Sequence, residues 1–342
     1  MSSFGCFEQK NGTLGEESEV IRIKFILKYK SHKLIFVAFL FSFTFQFFLM
    51  KTLYFALFFY PLFNFQAQKL SKIDSLNSTK DVENFIRNEK NKINYYLTVD
   101  DKINYDWYCN VIADSLKLKQ TWGKADFDNN GLTDLLVTGT NSEGAKTIYI
   151  LDRGGHFESK NVNKGKLYEQ CSFSVVKGNK IEYSSVKILD GSGNLSKLIK
   201  ENLVYKNGDF IEENLTPKRH NILEMEFTTR GSYWDRSTTK REIVSNRDIT
   251  WTLDEYEERK IYSSQLSKEK FKEIIDLLNY IDFENLADDY NVGYSDAGTT
   301  TLKITYDNLK VKTISDYGSM GTRGLRKFYD LLLDLRKTSN KN

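Results

Sequence analysis

Asp126, Asp128, Asn130 and Asp134 fall within the short run Asp126-Phe-Asp128-Asn-Asn130-Gly131-Leu-Thr-Asp134. The pattern D-x-D-x-N-G-x-x-D suits a loop that wraps calcium, a hard cation taking six to eight oxygens at about 2.3–2.6 Å. Alternate residues of a tight loop turn inward, so Asp126, Asp128 and Asn130 supply the first, third and fifth positions. Gly131 permits a turn with positive φ, which a residue with a Cβ resists. The Leu132 carbonyl is the expected seventh-position ligand, and Asp134 adds a third carboxylate at the ninth. Such a site belongs to the weak extracellular class, with Kd on the order of 10⁻⁴–10⁻³ M. The alternative is a solvated Asx-turn that closes a hairpin without metal. Three acidic residues at alternating spacing repel one another without a cation, which favours calcium.

An EF-hand needs a bidentate Glu at position 12 and a helix on each side. Here position 12 is Val137, in the strand-like run Leu135-Leu136-Val137. The segment from Ala125 to Gly139 instead resembles one FG-GAP or VCBS-type repeat, the calcium-loop unit of integrin-like β-propellers. That resemblance implies Asp126, Asp128, Asn130 and Asp134 as calcium ligands and a following strand that enters a sheet. It covers about fifteen residues with no second copy of the motif in the chain. A propeller needs several blades of roughly 40–50 residues, so a complete propeller is not expected.

No other run carries comparable chemistry. The sequence holds no G-x-S-x-G, H-E-x-x-H or P-loop motif. His156 follows two glycines in an expected exposed turn, and His220 sits at an expected domain junction. Asp288, Asp289 and Asp296 could serve a cation or an acid/base pair, but a solvated loop is the simpler expectation. Gly318-Ser-Met-Gly-Thr-Arg-Gly324 could cradle an anion at a helix N-terminus; without a strand-linked fingerprint it reads as a flexible loop. Two function classes stay open: an exported non-enzymatic binding or structural protein, and a hydrolase acting on envelope or extracellular polymer.

Export is read from the N-terminal stretch. Residues 34–50 and 52–65 are apolar runs separated by Lys51, with Lys28, Lys30 and Lys33 ahead of them. Met50-Lys51, an apolar centre and Gln66-Ala67-Gln68 form a secretory-signal pattern, cleaved after Ala67. That ending resembles the signal peptides of secreted bacteroidete proteins. Residues 1–49 are then an upstream extension. The alternative is a membrane anchor through residues 34–65, in which Lys51 would sit badly. Cleavage leaves 275 residues. The first 67 carry seven Lys and Arg and four Asp and Glu, out of 49 and 46, so 42 of each sign remain. This balance, with no basic stripe, gives nucleic-acid binding no support. The sequence leaves the partner open; an envelope protein or polysaccharide is one kind that export would allow. Cys109 and Cys171 are expected as two buried thiols, with a disulfide as the alternative that export permits.

The expected fold class is α+β. A β-rich meander domain, residues 68–216, carries the loop, and a two-layer domain, residues 217–342, packs two helices on an antiparallel sheet. In the first, a short helix near Asp81 with Ser78 or Thr79 as its cap precedes strands alternating with turns up to Glu213. In the second, Ser267 caps a helix whose Phe271, Ile274, Ile275, Leu278 and Ile281 share a face. Asp307-Asn308 is read as a two-residue hairpin turn. A last helix places Leu325, Phe328, Tyr329, Leu332 and Leu335 on one side. This second half resembles an uncharacterised domain family of secreted bacterial proteins over roughly a hundred residues, through Ser267–Leu278, Phe283–Tyr290, Asp296–Ile304 and Val311–Tyr317. Typical members begin with a Cys-Pro-x-Tyr strand, which this chain lacks. The family implies a fold and no activity.

Overall fold

The computed structural model describes residues 70–93, 96–102, 107–118, 120–142, 144–165, 168–188, 196–232, 237–244, 246–255 and 258–339. They fall in a compact unit spanning Lys69–Asn342. The apolar runs of 34–65 and the proposed cleavage site lie outside the described residues. No helix among the described residues is long and apolar enough to cross a membrane.

The chain is β-rich, with three sheets and four α-helices among the described residues. Helix α1 (Thr79–Arg87) starts where the Ser78 hydroxyl accepts the Asp81 N–H and Asp81 caps back onto Ser78. Helix α2 spans Trp107–Ser115. Eight strands then form two consecutive four-stranded antiparallel meanders. The first comprises β1 (Trp122–Ala125), β2 (Asp134–Asn141), β3 (Gly144–Asp152) and β4 (Phe157–Asn161). The second comprises β5 (Glu169–Lys177), β6 (Lys180–Ile188), β7 (Ser196–Lys206) and β8 (Asp209–Glu212).

The first meander is covered on both faces, which is why Leu135-Leu136-Val137 is apolar without alternation. Leu135, Val137, Ile148 and Ile150 pack under Val82, Phe85 and Ile86 of α1. Leu136, Tyr149 and Leu151 face the other way, onto Ile181, Tyr183, Leu203 and Phe210 of the second meander. The cysteines are joined, correcting the expectation of two thiols: the Cys109–Cys171 disulfide ties α2 to β5 across a 62-residue separation. Both lie in a small buried cluster with Ala113, Phe173 and Val186. Spacing in sequence carried no sign of this, because only the packing of α2 on β5 brings them together.

The C-terminal half holds a seven-stranded sheet, ordered β12-β11-β10-β9-β14-β15-β13. Its strands are β9 (Ile222–Arg230), β10 (Thr238–Val244), β11 (Asp248–Glu255), β12 (Glu258–Gln265), β13 (Asp289–Tyr290), β14 (Thr299–Tyr306) and β15 (Lys310–Tyr317). All pairings are antiparallel except β13 on β15. Helices α3 (Lys268–Tyr280) and α4 (Arg323–Ser339) share one core with this sheet. Ser267 caps α3 as expected, and Ile274, Leu277 and Leu278 are its buried stripe. Leu325, Phe328, Tyr329, Leu332 and Leu335 of α4 are all buried against Phe227, Leu302 and Ile304. The β14–β15 turn has three residues rather than two: Tyr306 faces Lys310, and Asp307 and Leu309 both take positive φ.

Replacing Cys109 and Cys171 together by Ser frees a loop of this size in the unfolded chain. Chain entropy sets the expected loss at roughly 4 kcal/mol. Urea unfolding of the double variant against the oxidised parent measures it, and a loss below about 1 kcal/mol would show that the bond constrains little.

Candidate metal site

Ala125 of β1 faces Asp134 of β2, so residues 126–133 close that hairpin. Gly131 has φ 82° with open space around it, so its conformation and not crowding demands glycine. Asp126 gathers the loop: its carboxylate accepts the N–H groups of Asn130 at 3.0 Å and Gly131 at 2.8 Å. Asn130 Oδ1 accepts the Leu132 N–H at 2.8 Å, and its Nδ2 donates to the Asp152 carbonyl at 2.8 Å. Asp134 is fully buried, and its two oxygens accept the N–H groups of Phe127 at 2.8 Å and Asp152 at 2.9 Å. It therefore pins both the loop and the end of β3.

One carboxylate oxygen each from Asp126, Asp128 and Asp134 lies within 4.8 Å of the other two. Among the described residues this is the one group of three or more Asp, Glu, His or Cys at metal-binding separation. Burial first, then the charges of Asp128 and Asp126, push the Asp134 carboxyl from the usual 3.8 up to about 7. Burial also raises Asp128, against the pull of Arg153. Arg153 pairs with Asp128, with Glu158 at 2.9 Å and with the Tyr205 hydroxyl at 3.2 Å. Among the described residues, no Lys or Arg forms an ion pair with Asp126 or Asp134. One guanidinium thus stands against three carboxylates, and the donor set fits a divalent cation. The sequence reading grouped these aspartates but did not foresee the part of Asp152 and Arg153.

A second charged cluster was not foreseen. Arg323, the first residue of α4, is buried between the two halves. Its side chain bonds Glu201 at 2.9 Å, Glu169 at 3.3 Å and the Val162 carbonyl, and it stacks on Tyr183 at 4.4 Å. The Arg323 and Gly324 N–H groups donate to Glu212 of β8 at 2.6 and 2.8 Å. Asp316 accepts the Met320 and Gly321 N–H groups at 2.9 and 3.0 Å. The glycine-rich stretch before α4 is therefore no loose loop. It is an anion cradle filled by the protein's own carboxylates, and a Cβ on Gly321 would stand 2.8 Å from Asp316 Oδ2. The buried Lys164 closes the cluster, donating to the Gly321 carbonyl at 2.7 Å.

The remaining sequence candidates do not converge on a site. Asp288 pairs with Lys312, and Asp289 and Asp296 are exposed. His156 is exposed, 3.6 Å from Glu158. His220 is largely buried: Nδ1 lies 2.8 Å from Asp307 and Nε2 lies 3.6 Å from Glu284, between the rings of Phe283 and Tyr306. These partners fasten the linker before β9 to the β14–β15 turn, and their distance in sequence hid them.

A family model described as a domain of unknown function, DUF6438, matches residues 237–336. The C-terminal half is thus similar to that family over β10 to α4. The match begins after β9, although β9 lies between β10 and β14 in the sheet. No curated protein matches the chain.

Two outcomes test these clusters. Folded Asp134 keeps its proton to higher pH than unfolded aspartate, so folding takes up a proton between about pH 4 and 7. Stability in chelator should then fall as pH rises through that window and level off above it. Thermal unfolding from pH 4.5 to 8 checks this, and Asp134→Asn should flatten that part of the slope. Arg323→Met strands Glu169 and Glu201 in a buried site, with an expected loss of about 3–5 kcal/mol in urea unfolding. A loss under about 1 kcal/mol would mean that water reaches the cluster.

Proposed function

We propose that this chain is an exported, non-catalytic binding or structural protein of the bacterial envelope whose β-rich half is fixed by one calcium ion. The carrying observation is the convergence of Asp126, Asp128 and Asp134 within 4.8 Å, beside a single guanidinium. The ion would be held by these carboxylates together with Asn130 Oδ1 and the Leu132 carbonyl. It would supply the positive charge that Asp126 and the buried Asp134 otherwise lack. Asp134 also anchors β3 through Asp152, so occupancy would stiffen the β1–β2–β3 corner rather than the loop alone.

Export is supported by the Cys109–Cys171 disulfide, since such bonds persist in oxidising compartments. The signal pattern at residues 50–67 points the same way. A polymer hydrolase would call for carboxylates converging in an open cleft. Outside the loop, the clustered Glu169, Glu201 and Glu212 are instead bonded to Arg323 and the start of α4.

Thermal unfolding in calcium and in chelator tests the reading. With calcium at a hundred times its Kd, the folded state should gain about 2.7 kcal/mol. Asp128→Ala should remove the gain while leaving the chelator baseline within about 1 kcal/mol. No gain at 10 mM calcium would reduce the loop to a hydrogen-bonded turn.

A further inference from the structure

The seven-stranded sheet treats its two edges differently. One ends on β13, a strand of only two residues. Short edge strands blunt the unpaired row of N–H and C=O groups that would otherwise recruit another strand. The other edge is β12, eight residues from Glu258 to Gln265, paired to β11 along its whole length. Among the described residues no strand lies on its other side. All eight residues are exposed, including Ile261 at 60 % and Tyr262 at 42 %. Neither proline nor glycine interrupts it, and Ile261-Tyr-Ser-Ser-Gln265 carries no charge.

Register limits what such an edge accepts. Ile261 faces Thr252 on the side of the sheet away from the helices, and Tyr262 faces and stacks on the buried Trp251 at 5.6 Å on the helix side. A strand that extends the sheet must set outward residues beside outward residues and inward beside inward. A second β12, related by a two-fold axis normal to the sheet, meets this condition antiparallel and in register about Ile261. Ile261 then lies against its own copy on the outer face. Lys260 lies opposite Tyr262 on the inner face, a cation beside an aromatic ring. Arg259 lies opposite Ser263 and Glu258 opposite Ser264. No like charges stand directly opposite, and the one apolar outward side chain of the strand meets its equivalent. The charged first three residues of one copy fall against the neutral last residues of the other.

We propose that β12 is a homodimer interface, joining two copies of this chain edge to edge about Ile261 into one continuous sheet. The occupant is a second copy because the strand complements itself. A ladder of seven residue pairs is a small interface, so association should be weak, with Kd in the range of about 1–100 µM.

Sedimentation velocity tests this on protein recovered from cells expressing the full-length sequence, between about 1 and 300 µM. A concentration-dependent monomer–dimer equilibrium is expected. Ile261→Lys places two like charges at the axis and should weaken dimerisation at least tenfold, without changing the circular-dichroism spectrum or the unfolding midpoint. Ile261 is exposed, so this variant should fold. Ile261→Cys should form a disulfide-linked dimer under mild oxidation, whereas Gln265→Cys, far from the axis, should not. A monomer throughout, a dimer indifferent to Ile261→Lys, or equal cross-linking at both positions would overturn the proposal.

Discussion

The burial of Arg323 is the constraint around which the two halves are arranged. Taking a guanidinium out of water costs several kcal/mol, and attraction offsets this only when its donors are all engaged. Here Glu201 and Glu169 bring charge, Val162 brings a carbonyl and Tyr183 brings a ring face. All four come from the β-rich half, while Arg323 comes from the other. The same residue opens α4, and Glu212 of β8 receives the first N–H groups of that helix. A carboxylate at a helix N-terminus satisfies orphan donors and opposes the positive end of the helix dipole. Ile211, next to Glu212, belongs to the core under the seven-stranded sheet. Charge, helix capping and apolar packing therefore cross the same boundary, and separating the halves would break all three.

The two acidic clusters differ in how their charge is met. Around Arg323, four carboxylates stand with two cations, Arg323 and Lys164, and Glu212 and Asp316 are met by backbone N–H groups. In the β1–β2 loop the carboxylates outnumber their cation, and the most deeply buried one is pushed towards protonation. The carboxylates around Arg323 are met by the protein's own side chains and backbone, whereas the three of the loop share one guanidinium. On the calcium reading proposed above, the loop is the cluster that an outside cation would complete.

Legibility in the sequence followed the range of the interaction. The aspartate loop, the Ser78 and Ser267 caps and the stripes of α3 and α4 are set by residues within about one or two turns of one another, and the sequence displayed them. The meander was legible as alternating strands and turns, but its division into two sheets depends on which faces meet. Cys109 and Cys171, Arg323 and Glu169, and His220 and Asp307 are each joined across 62 to 154 residues. No local pattern marks such pairs. The glycine-rich stretch before α4 shows the limit most clearly. Its capacity to hold an anion was readable, but not that Asp316 and Glu212 would be the anions.

The position of β9 bears on what the C-terminal half is. The family match opens at residue 237, yet the sheet it covers closes only through β9, which pairs with β10 on one side and β14 on the other. Met225 and Phe227 of β9 belong to the same core as Leu302, Ile304 and the stripe of α4. A segment cut at the start of the match would expose two strand edges in the middle of the sheet and remove part of the core beneath them. It would also lose Glu212 from the start of α4. The physical unit therefore begins before the matched segment and leans on the β-rich half, so a role for residues 237–336 has to be sought in the joined protein, where the helix layer is capped from outside.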